Sequence, residues 1–275
     1  MKIIDMMKNR HALIGMVHAL PLPGTMNYGG SMDGIIEKAV QDAQVLEKAG
    51  FDAVLVEPTL DCPSGMPRGQ LQLAAMSVIC GAVRSAVSVP MGVSYYTEDC
   101  MDMFAIARAC GADFVRVTTF VDTVIFPSGV SYPNAVRVWE VQRQENMRDI
   151  AVLADIQVKH GKLMYPDTRL EESAYFAQKQ GADAVIVTGT VTGEETPVDT
   201  IRRVRRAVTV PVVVGSGVTA GNIRSQMCEA DGFIIGSSIK EQGRLEAPVD
   251  QRLAEEITAA RSNLSCGQEG SEEQA

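Results

Sequence analysis

Residues 48–53 read Lys-Ala-Gly-Phe-Asp-Ala, and this short motif returns three times along the chain. The other copies are Ala-Cys-Gly-Ala-Asp-Phe at 109–114, Lys-Gln-Gly-Ala-Asp-Ala at 179–184 and Cys-Glu-Ala-Asp-Gly at 228–232. Each copy follows a stretch with helical periodicity and leads directly into a short apolar run. The glycine or small residue turns the chain, and the aspartate can accept backbone N–H groups in the short connection. The motif therefore predicts the helix-to-strand corners of a protein built from βα repeats.

Eight short, mostly apolar segments alternate with these helical stretches. They cover residues 12–18, 52–57, 89–95, 114–120, 150–156, 184–189, 211–216 and 232–237. Their spacing averages about 31 residues, the size of one strand with its crossover helix. Because the segments are nearly continuous in apolar residues, they are typical of a parallel sheet covered by helices. The four matching corners favour a closed (β/α)8 barrel, and an open doubly wound sheet is the alternative.

The whole barrel is expected to be one domain, residues 1–263, since no linker-like composition interrupts the middle of the chain. Residues 1–10 are predicted to form a short helix or strap across the floor of the barrel. Residues 264–275 are polar and acidic, which predicts a flexible C-terminal tail.

Composition and charge exclude several classes of function. The 275 residues carry 25 Lys and Arg against 34 Asp and Glu, a net charge of −9. Nucleic-acid-binding proteins carry basic patches, so no nucleic-acid partner is expected. No apolar stretch reaches the ~20 residues that a membrane span requires, so no membrane insertion is expected. The six cysteines show no Cys-x-x-Cys spacing, which favours a reducing, cytoplasmic location.

The loops after the seventh and eighth predicted strands are rich in glycine and hydroxyl side chains. In (β/α)8 barrels these two loops often hold phosphate, because glycine lets backbone N–H groups approach an anion closely. The end of the sixth strand lies beside them and carries further hydroxyl and glycine residues. The predicted phosphate-binding residues are Gly215, Ser216, Gly217, Gly236, Ser237, Thr188 and Gly189. Ordinary tight turns at these positions are the alternative.

Ionisable residues at other strand ends form a second signal. His18 ends the first strand, Glu57 ends the second, and Asp155 lies in the fifth, followed by Lys159 and His160. Since reacting groups of such barrels lie at the carboxyl ends of strands, we predict that these five residues are catalytic. A lysine that loses its proton through desolvation could form a Schiff base, while Asp155 or Glu57 moves protons.

Other chemistries have less support in the sequence. Arg116 in the fourth strand is as well explained by a buried ion pair that bridges strands as by a role in chemistry. No ATP or NAD fingerprint is present, and no cofactor is identified. No ligand spacing predicts a metal site, although His18, Glu57, Asp155 and His160 leave a divalent metal as a minor alternative.

Taken together, these motifs resemble the BtpA family, which includes SgcQ-like proteins, over about residues 12–252. The matching motifs are residues 15–18 with 21–24, 52–57, 111–117, 154–160, 187–189 with 192–193, 214–219 and 230–232 with Gly236 and Lys240. The resemblance implies a TIM barrel of the ribulose-phosphate-binding type. Family members are connected with photosystem I biogenesis in cyanobacteria or with carbohydrate-uptake genes. The chain departs at Pro58, where such proteins usually have Asn, so its substrate need not be theirs.

Two hypotheses from different classes of function follow. The first is an enzyme, a lyase or isomerase, that acts on a phosphorylated sugar or a related small phosphorylated metabolite. The second is a non-catalytic assembly or regulatory factor of the photosystem I biogenesis type. The second predicts an exposed apolar patch and a pocket without convergent ionisable groups. Because barrel exteriors often pair, we also expect a homo-oligomer.

Overall fold

A computed structural model describes residues 2–63, 69–96, 99–189 and 193–262. The predicted tail at 264–275 lies outside these described residues. Strands are numbered in chain order. They are β1 (Ala12–His18), β2 (Ala53–Glu57), β3 (Met91–Val93), β4 (Phe114–Val117), β5 (Val124–Phe126), β6 (Gly129–Ser131), β7 (Ala151–Asp155), β8 (Lys162–Leu163), β9 (Ala184–Val187), β10 (Val212–Val214) and β11 (Gly232–Ile235).

The helices alternate with the strands as the periodicity predicts. They are α1 (Lys2–Arg10), α2 (Met32–Lys48), α3 (Gln70–Ala86), α4 (Met101–Cys110), α5 (Ala135–Gln144), α6 (Leu170–Lys179), α7 (Val198–Ala207), α8 (Ile223–Met227) and α9 (Gln251–Ser262). Two short 3₁₀ turns follow β11, at Ser237–Ile239 and Glu241–Gly243.

Eight parallel strands close into a barrel in the order β1-β11-β10-β9-β7-β4-β3-β2. Pairing of Ala12 with Gly232 joins the first strand to the last and closes the ring. The predicted (β/α)8 barrel is therefore confirmed, and the open-sheet alternative is wrong. The predicted segments contain all eight barrel strands, but six of them extend one to three residues too far at the carboxyl end, where the chain turns into the loops that form the site.

The four aspartates of the repeated motif act as expected from the sequence. Each lies just before one barrel strand, and its carboxylate accepts an N–H near the start of the preceding barrel strand. The pairs are Asp52 with Leu13, Asp113 with Met91, Asp183 with Val152 and Asp231 with Val212, at 2.8 to 2.9 Å. A carboxylate at this position satisfies N–H groups that have no partner in the sheet at the amino-terminal ends of the strands. It thereby fixes neighbouring strands in register.

Local signals also explain the bounds of α2. The hydroxyl of Ser31 accepts the N–H three residues later, which satisfies one of the open donors at the start of a helix. At the other end, Gly50 has a φ of +88°. The N–H of Gly50 binds the carbonyl of Glu47, and that of Phe51 binds Leu46. This is a glycine-dependent helix stop, and it leads directly into the corner before β2.

The core has two layers, one inside the barrel and one between the barrel and its helices. Along β1, Ala12, Ile14 and Met16 belong to the inner layer, whereas Leu13 and Val17 pack outward against helices. Helix α1 inserts buried apolar side chains into the inner layer, which confirms the predicted helix at the floor of the barrel. The floor is thus filled, and a cavity lies toward the carboxyl ends of the strands.

Candidate functional site

Strand alternation decides which side chains reach the open end of the barrel. Because inward positions recur every second residue, one residue per strand follows the last inner apolar layer. These residues are His18, Glu57, Ser94, Arg116, Asp155, Thr188, Gly215 and Gly236. The ring is asymmetric, since polar and ionisable side chains come from β1 round to β9, whereas β10 and β11 contribute glycines.

A cavity of about 360 Å³ lies above this ring. Four of the five predicted catalytic residues line it, namely His18, Glu57, Lys159 and His160. Gly215, Ser216, Gly217, Gly236 and Ser237 line the same cavity. The structure therefore brings the predicted ionisable group and most of the predicted phosphate-binding group to one space.

Arg116 organises the ionisable half of the cavity. Its guanidinium donates two hydrogen bonds to Asp155, at 2.8 and 3.0 Å, and lies 3.5 Å from the carboxylate of Glu57. The side chain of Asp155 is 0% exposed and that of Arg116 6%. This is the buried, strand-bridging ion pair that was one of the two explanations of Arg116 in the sequence. It spans β2, β4 and β7. Asp155 is bound to Arg116 and is not one of the cavity-lining residues, so its effect on a ligand would run through that arginine.

Glu57 is held as a carboxylate. Burial alone would raise its pKa, but the charges of Arg116 and His18 and hydrogen bonds from Thr59 and Ser94 lower the pKa to about 2. The Thr59 hydroxyl donates to Glu57 at 2.5 Å. A carboxylate with these fixed partners can orient a ligand hydroxyl or accept a proton at neutral pH.

His18 is held as a neutral imidazole. Burial lowers its pKa to about 4, although the nearby carboxylate of Glu57 opposes the shift. Its Nδ1 is buried and has no hydrogen-bond partner among the described residues. Gly236 lies directly beside the ring, where a Cβ would come within 3.0 Å of the His18 Cε1. An unpartnered buried nitrogen next to the glycine loop of β11 is what a polar ligand would satisfy.

The pKa of His18 predicts acid sensitivity. The folded protein keeps His18 neutral down to about pH 4, whereas the unfolded chain takes up a proton near pH 6.5, so stability is lost as pH falls between these values. We expect the free energy of unfolding to fall by about 3 kcal/mol over this interval. His18→Gln should remove that dependence in urea unfolding measured at several pH values, whereas His160→Gln, at an exposed ring, should retain it. Superimposable pH profiles of wild type and His18→Gln would contradict the assignment.

Lys159 and His160 reach the cavity through a change in backbone direction after β7. Gln157 has a φ of +46°, and its side-chain amide donates to the carbonyl of Thr168 and the hydroxyl of Ser173, away from the cavity. Burial and then the charge of Arg116 lower the pKa of Lys159. No salt bridge to another described residue neutralises Lys159. Partial burial and Lys159 in turn lower the pKa of His160.

The glycine half of the cavity presents backbone rather than side chains. Gly217 has a φ of +70°, and a Cβ there would overlap the backbone of Glu194 and Glu195. No described residue accepts a hydrogen bond from the backbone N–H of Ser216 or Gly217, whereas the N–H of Gly215 binds Val187 within the sheet. Two N–H donors without a partner in the described part of the chain, in a turn that lines the cavity, are suited to an anion.

Two predicted phosphate-binding residues have other contacts. The N–H of Gly189 donates to the Ser216 hydroxyl at 2.9 Å, so it holds the loop after β10 in place. Thr188 packs its methyl group next to Gly215, and its hydroxyl is buried without a partner in the described part of the chain. Neither residue lines the cavity. We therefore regard both as supports of the Gly215–Gly217 turn.

Sequence reasoning missed the roof of the cavity. Strands β5, β6 and β8 form a small antiparallel sheet above the barrel, in the order β6-β5-β8. From its hairpin, Phe126 and Ser128 line the cavity. Because these strands are two or three residues long and pair across distant loops, they leave no periodic signal in the sequence.

Sequence reasoning also missed a cluster of charged side chains behind His18. The Lys38 ammonium donates to the carbonyl of His18 at 3.3 Å and to the carboxylate of Asp42 at 2.7 Å. Lys240, whose side chain is fully buried, lies 3.4 Å from the same carboxylate and donates to the carbonyl of Ala247. The one sequence signal was Lys240 itself, a charged residue in the motif that carried the family resemblance.

Within the described ranges, no group of three or more His, Cys, Asp and Glu side chains is placed to hold a metal ion. No helix in those ranges combines the length and the apolar character needed to cross a membrane.

The closed parallel barrel, with its candidate site at the carboxyl ends of the strands, is a TIM barrel. The chain belongs to the BtpA family, whose family model matches residues 9–263, so the resemblance found in the sequence is confirmed. An uncharacterized protein of Pyrococcus furiosus is 36% identical over 96% of this chain and 99% of its own length. The photosystem I biogenesis protein BtpA of Synechocystis is 29% identical, over 91% of this chain and 88% of its own. Among solved structures, a 3-hexulose-6-phosphate synthase superposes with a TM-score of 0.59 at 17% identity, covering 90% of this chain and 99% of its own.

Proposed function

We propose that the protein is an enzyme that binds a small phosphorylated metabolite and acts on its sugar or carbonyl portion, as a lyase or an isomerase. One observation carries the proposal: the glycine turns after β10 and β11 line the same cavity as Glu57, Arg116 and Lys159. A cavity of about 360 Å³ is within the range of small-molecule sites, roughly 300–1,000 Å³. One end of the cavity is therefore suited to an anion and the other to proton transfer.

The phosphate would lie on the turns Gly215–Gly217 and Gly236–Ser238. The N–H groups of Ser216 and Gly217, which have no partner among the described residues, would donate to it, and Gly215 and Gly236 line the same cavity with backbone. The neutral ring of His18 borders the same space and carries an unpartnered nitrogen. Glu57 lies 3.5 Å from the guanidinium of Arg116, which also binds Asp155, so the negative charge of Glu57 is offset in part.

The reacting portion of the ligand would lie against Glu57, Arg116 and Lys159. Arg116 would polarise a carbonyl or hydroxyl, and Glu57 would accept a proton at neutral pH. Because burial and Arg116 lower the pKa of Lys159, its amine is suited to react with a carbonyl to give a Schiff base. Asp155 would act as a positioning residue through Arg116, and His160 would exchange protons with solvent.

Relatives and neighbours bear on the substrate class. The superposed synthase is named for a phosphorylated hexulose, and that likeness supports a phosphorylated ligand at the level of the fold.

A non-catalytic assembly factor is the second candidate. The name of the Synechocystis relative favours it, and so does the exposed apolar surface described in the next subsection. However, that hypothesis predicts a pocket without convergent ionisable groups, whereas four predicted catalytic residues converge here. We therefore place the enzyme first.

Thermal unfolding with a ligand panel tests the proposal. Phosphorylated sugars should stabilise the protein, by about 2.7 kcal/mol at 100 times Kd, whereas the matching unphosphorylated sugars should not. For a chain of this size that corresponds to a rise in Tm of roughly 5–10 °C. An equal response to both sets of sugars, or no response to any, would overturn the phosphate assignment.

Gly217→Ala should weaken binding of the phosphorylated ligand by roughly 10- to 100-fold, because the new methyl group must displace the backbone of Glu194 and the turn with it. Gly221→Ala is the matched control. It lies in the same loop, where a Cβ has ordinary contact distances, so it should bind as wild type does. Isothermal titration of both variants measures the difference, and unchanged affinity in Gly217→Ala would remove this turn from the site.

A further inference from the structure

Exposed apolar side chains are concentrated on one side of the barrel. Of the thirteen large hydrophobic side chains exposed in the described residues, nine lie between residues 125 and 176. We call these nine the aromatic face. Its aromatic members are Tyr132, Trp139, Tyr165, Tyr175 and Phe176, which are 42–68% exposed. Scattered single exposed residues are normal on a protein surface, but a concentration of this kind marks an interaction site.

One half of the aromatic face runs from the small sheet onto α5. Ile125 and Val130 are opposite each other in the β5-β6 hairpin, and both are exposed because the neighbouring positions Val124 and Ser131 face inward. Tyr132 follows β6 directly. Val136 and Trp139 then continue at helical spacing, so these side chains form one stripe.

The other half runs along α6. Tyr165 and Phe176 border one surface cleft together with Leu163 of β8. The ring of Tyr175 meets that of Phe176 edge to face, with centroids 5.5 Å apart. Because β8 pairs with β5, the small sheet connects this half to the first. The aromatic face is thus a continuous surface over α5, the sheet and α6.

The area and charge of this face fit a second copy of the chain. Its exposed parts amount to on the order of 800 Å², at about 200 Å² for a whole aromatic side chain, and a stable interface buries about 800 Å² per partner. Arg137 of α5 already binds Asp99, and Glu171 of α6 already binds Arg203. The remaining charges, Glu140 and Arg143 on α5 and Glu172 and Lys179 on α6, give each helix one charge of either sign. A two-fold axis that sets α5 of one protomer against α6 of the other can therefore join the apolar surfaces with opposite charges facing each other.

We propose that the aromatic face joins two copies of this chain about a two-fold axis, with α5 of each protomer against α6 of its partner. The partner would also cover the outer side of the hairpin whose Phe126 and Ser128 line the cavity. Dimer formation would thus hold the roof of the site in place. The proposal does not depend on the identity of the ligand.

Sedimentation velocity of the full chain at 1–50 µM tests the proposal. Wild type should sediment with twice the chain mass of 29.6 kDa. Trp139→Glu and Phe176→Glu should be monomeric with unchanged far-ultraviolet circular dichroism. Val78→Glu is the matched control, because Val78 is 54% exposed on α3, outside the aromatic face, and this variant should remain a dimer. A monomeric wild type, or dissociation of Val78→Glu to the same extent as Trp139→Glu, would overturn the proposal.

Cysteine crosslinking tests the arrangement of the two copies. Val136→Cys protein mixed with Tyr175→Cys protein should form an intermolecular disulfide above the wild-type background, and neither variant alone should do so. Self-crosslinking of Val136→Cys alone would place α5 against α5 of the partner and contradict the α5-to-α6 pairing. A dimer that survives both Trp139→Glu and Phe176→Glu would locate the interface elsewhere.

Discussion

Asp155→Asn is expected to lower the free energy of unfolding by about 3 kcal/mol, because it removes the principal partner of a buried guanidinium. The two hydrogen bonds from Arg116 to Asp155 join β4 to β7 where both side chains are shielded from water. After the substitution Arg116 retains only Glu57, at 3.5 Å. Since native proteins are stable by roughly 5–15 kcal/mol, a loss of this size is readily measured by urea unfolding.

A second arginine–aspartate pair provides the control. Arg108 and Asp149 also form two hydrogen bonds, at 3.0 and 2.6 Å, but their side chains are 44% and 65% exposed. Asp149→Asn should therefore cost less than about 1 kcal/mol. A triple variant, Glu57→Gln with Arg116→Met and Asp155→Leu, should recover much of the loss, because no charge of this cluster is then left buried. Equal losses in Asp155→Asn and Asp149→Asn would show that Asp155 does not hold Arg116 in place.

Asp42→Asn is expected to destabilise the protein still more, by about 3–5 kcal/mol. One carboxylate oxygen of Asp42 accepts the N–H of Val249, and the other binds Lys38 at 2.7 Å and faces Lys240 at 3.4 Å. The variant leaves two ammonium groups near each other, one of them fully buried, without a negative charge. The cluster also ties α2, in the first βα unit, to the segment after β11, so its loss weakens the closure of the barrel.

Lys240→Met tests whether the cluster depends on the charge of Asp42 or on the buried side chain of Lys240. It removes one ammonium group and leaves the pair of Lys38 with Asp42, so it should cost clearly less than Asp42→Asn in the same urea measurement. Burial lowers the pKa of Lys240 to about 8, which agrees with a position where a charge is poorly accommodated. A larger loss in Lys240→Met than in Asp42→Asn would contradict the assignment of Asp42 as the stabilising charge.

The fold could be predicted from the sequence because its signals are local. Each of the four Gly-x-Asp or Ala-Asp corners specifies the end of a helix, a turn and a hydrogen-bond acceptor within six residues. In the structure all four aspartates accept a backbone N–H of the preceding barrel strand. The apolar strand segments follow from burial on both faces of a parallel sheet. The ionisable half of the site could be predicted in the same way, since His18 and Glu57 end strands that pair with each other.

The remaining parts of the site depend on contacts between distant residues. Lys240 and Asp42 are 198 positions apart in the sequence, and no pattern near either one identifies the other. The roof was missed because β5 and β8 are too short to show periodicity. Asp155 binds Arg116 and does not line the cavity. The reason is the bidentate geometry of an arginine–carboxylate pair, and the two residues meet because β4 and β7 are paired.

The turns after β10 and β11 are proposed to bind the phosphate of the ligand together. The most direct measurement is the position of the anion in a crystal structure of the protein grown with a phosphorylated sugar. We expect phosphate oxygens at about 2.7–3.1 Å from the N–H groups of Ser216 and Gly217, with Gly236 and Ser237 on the opposite side and the carbon chain directed toward Lys159. Phosphate bound at Lys159 and Arg116 with the glycine turns empty would contradict the account.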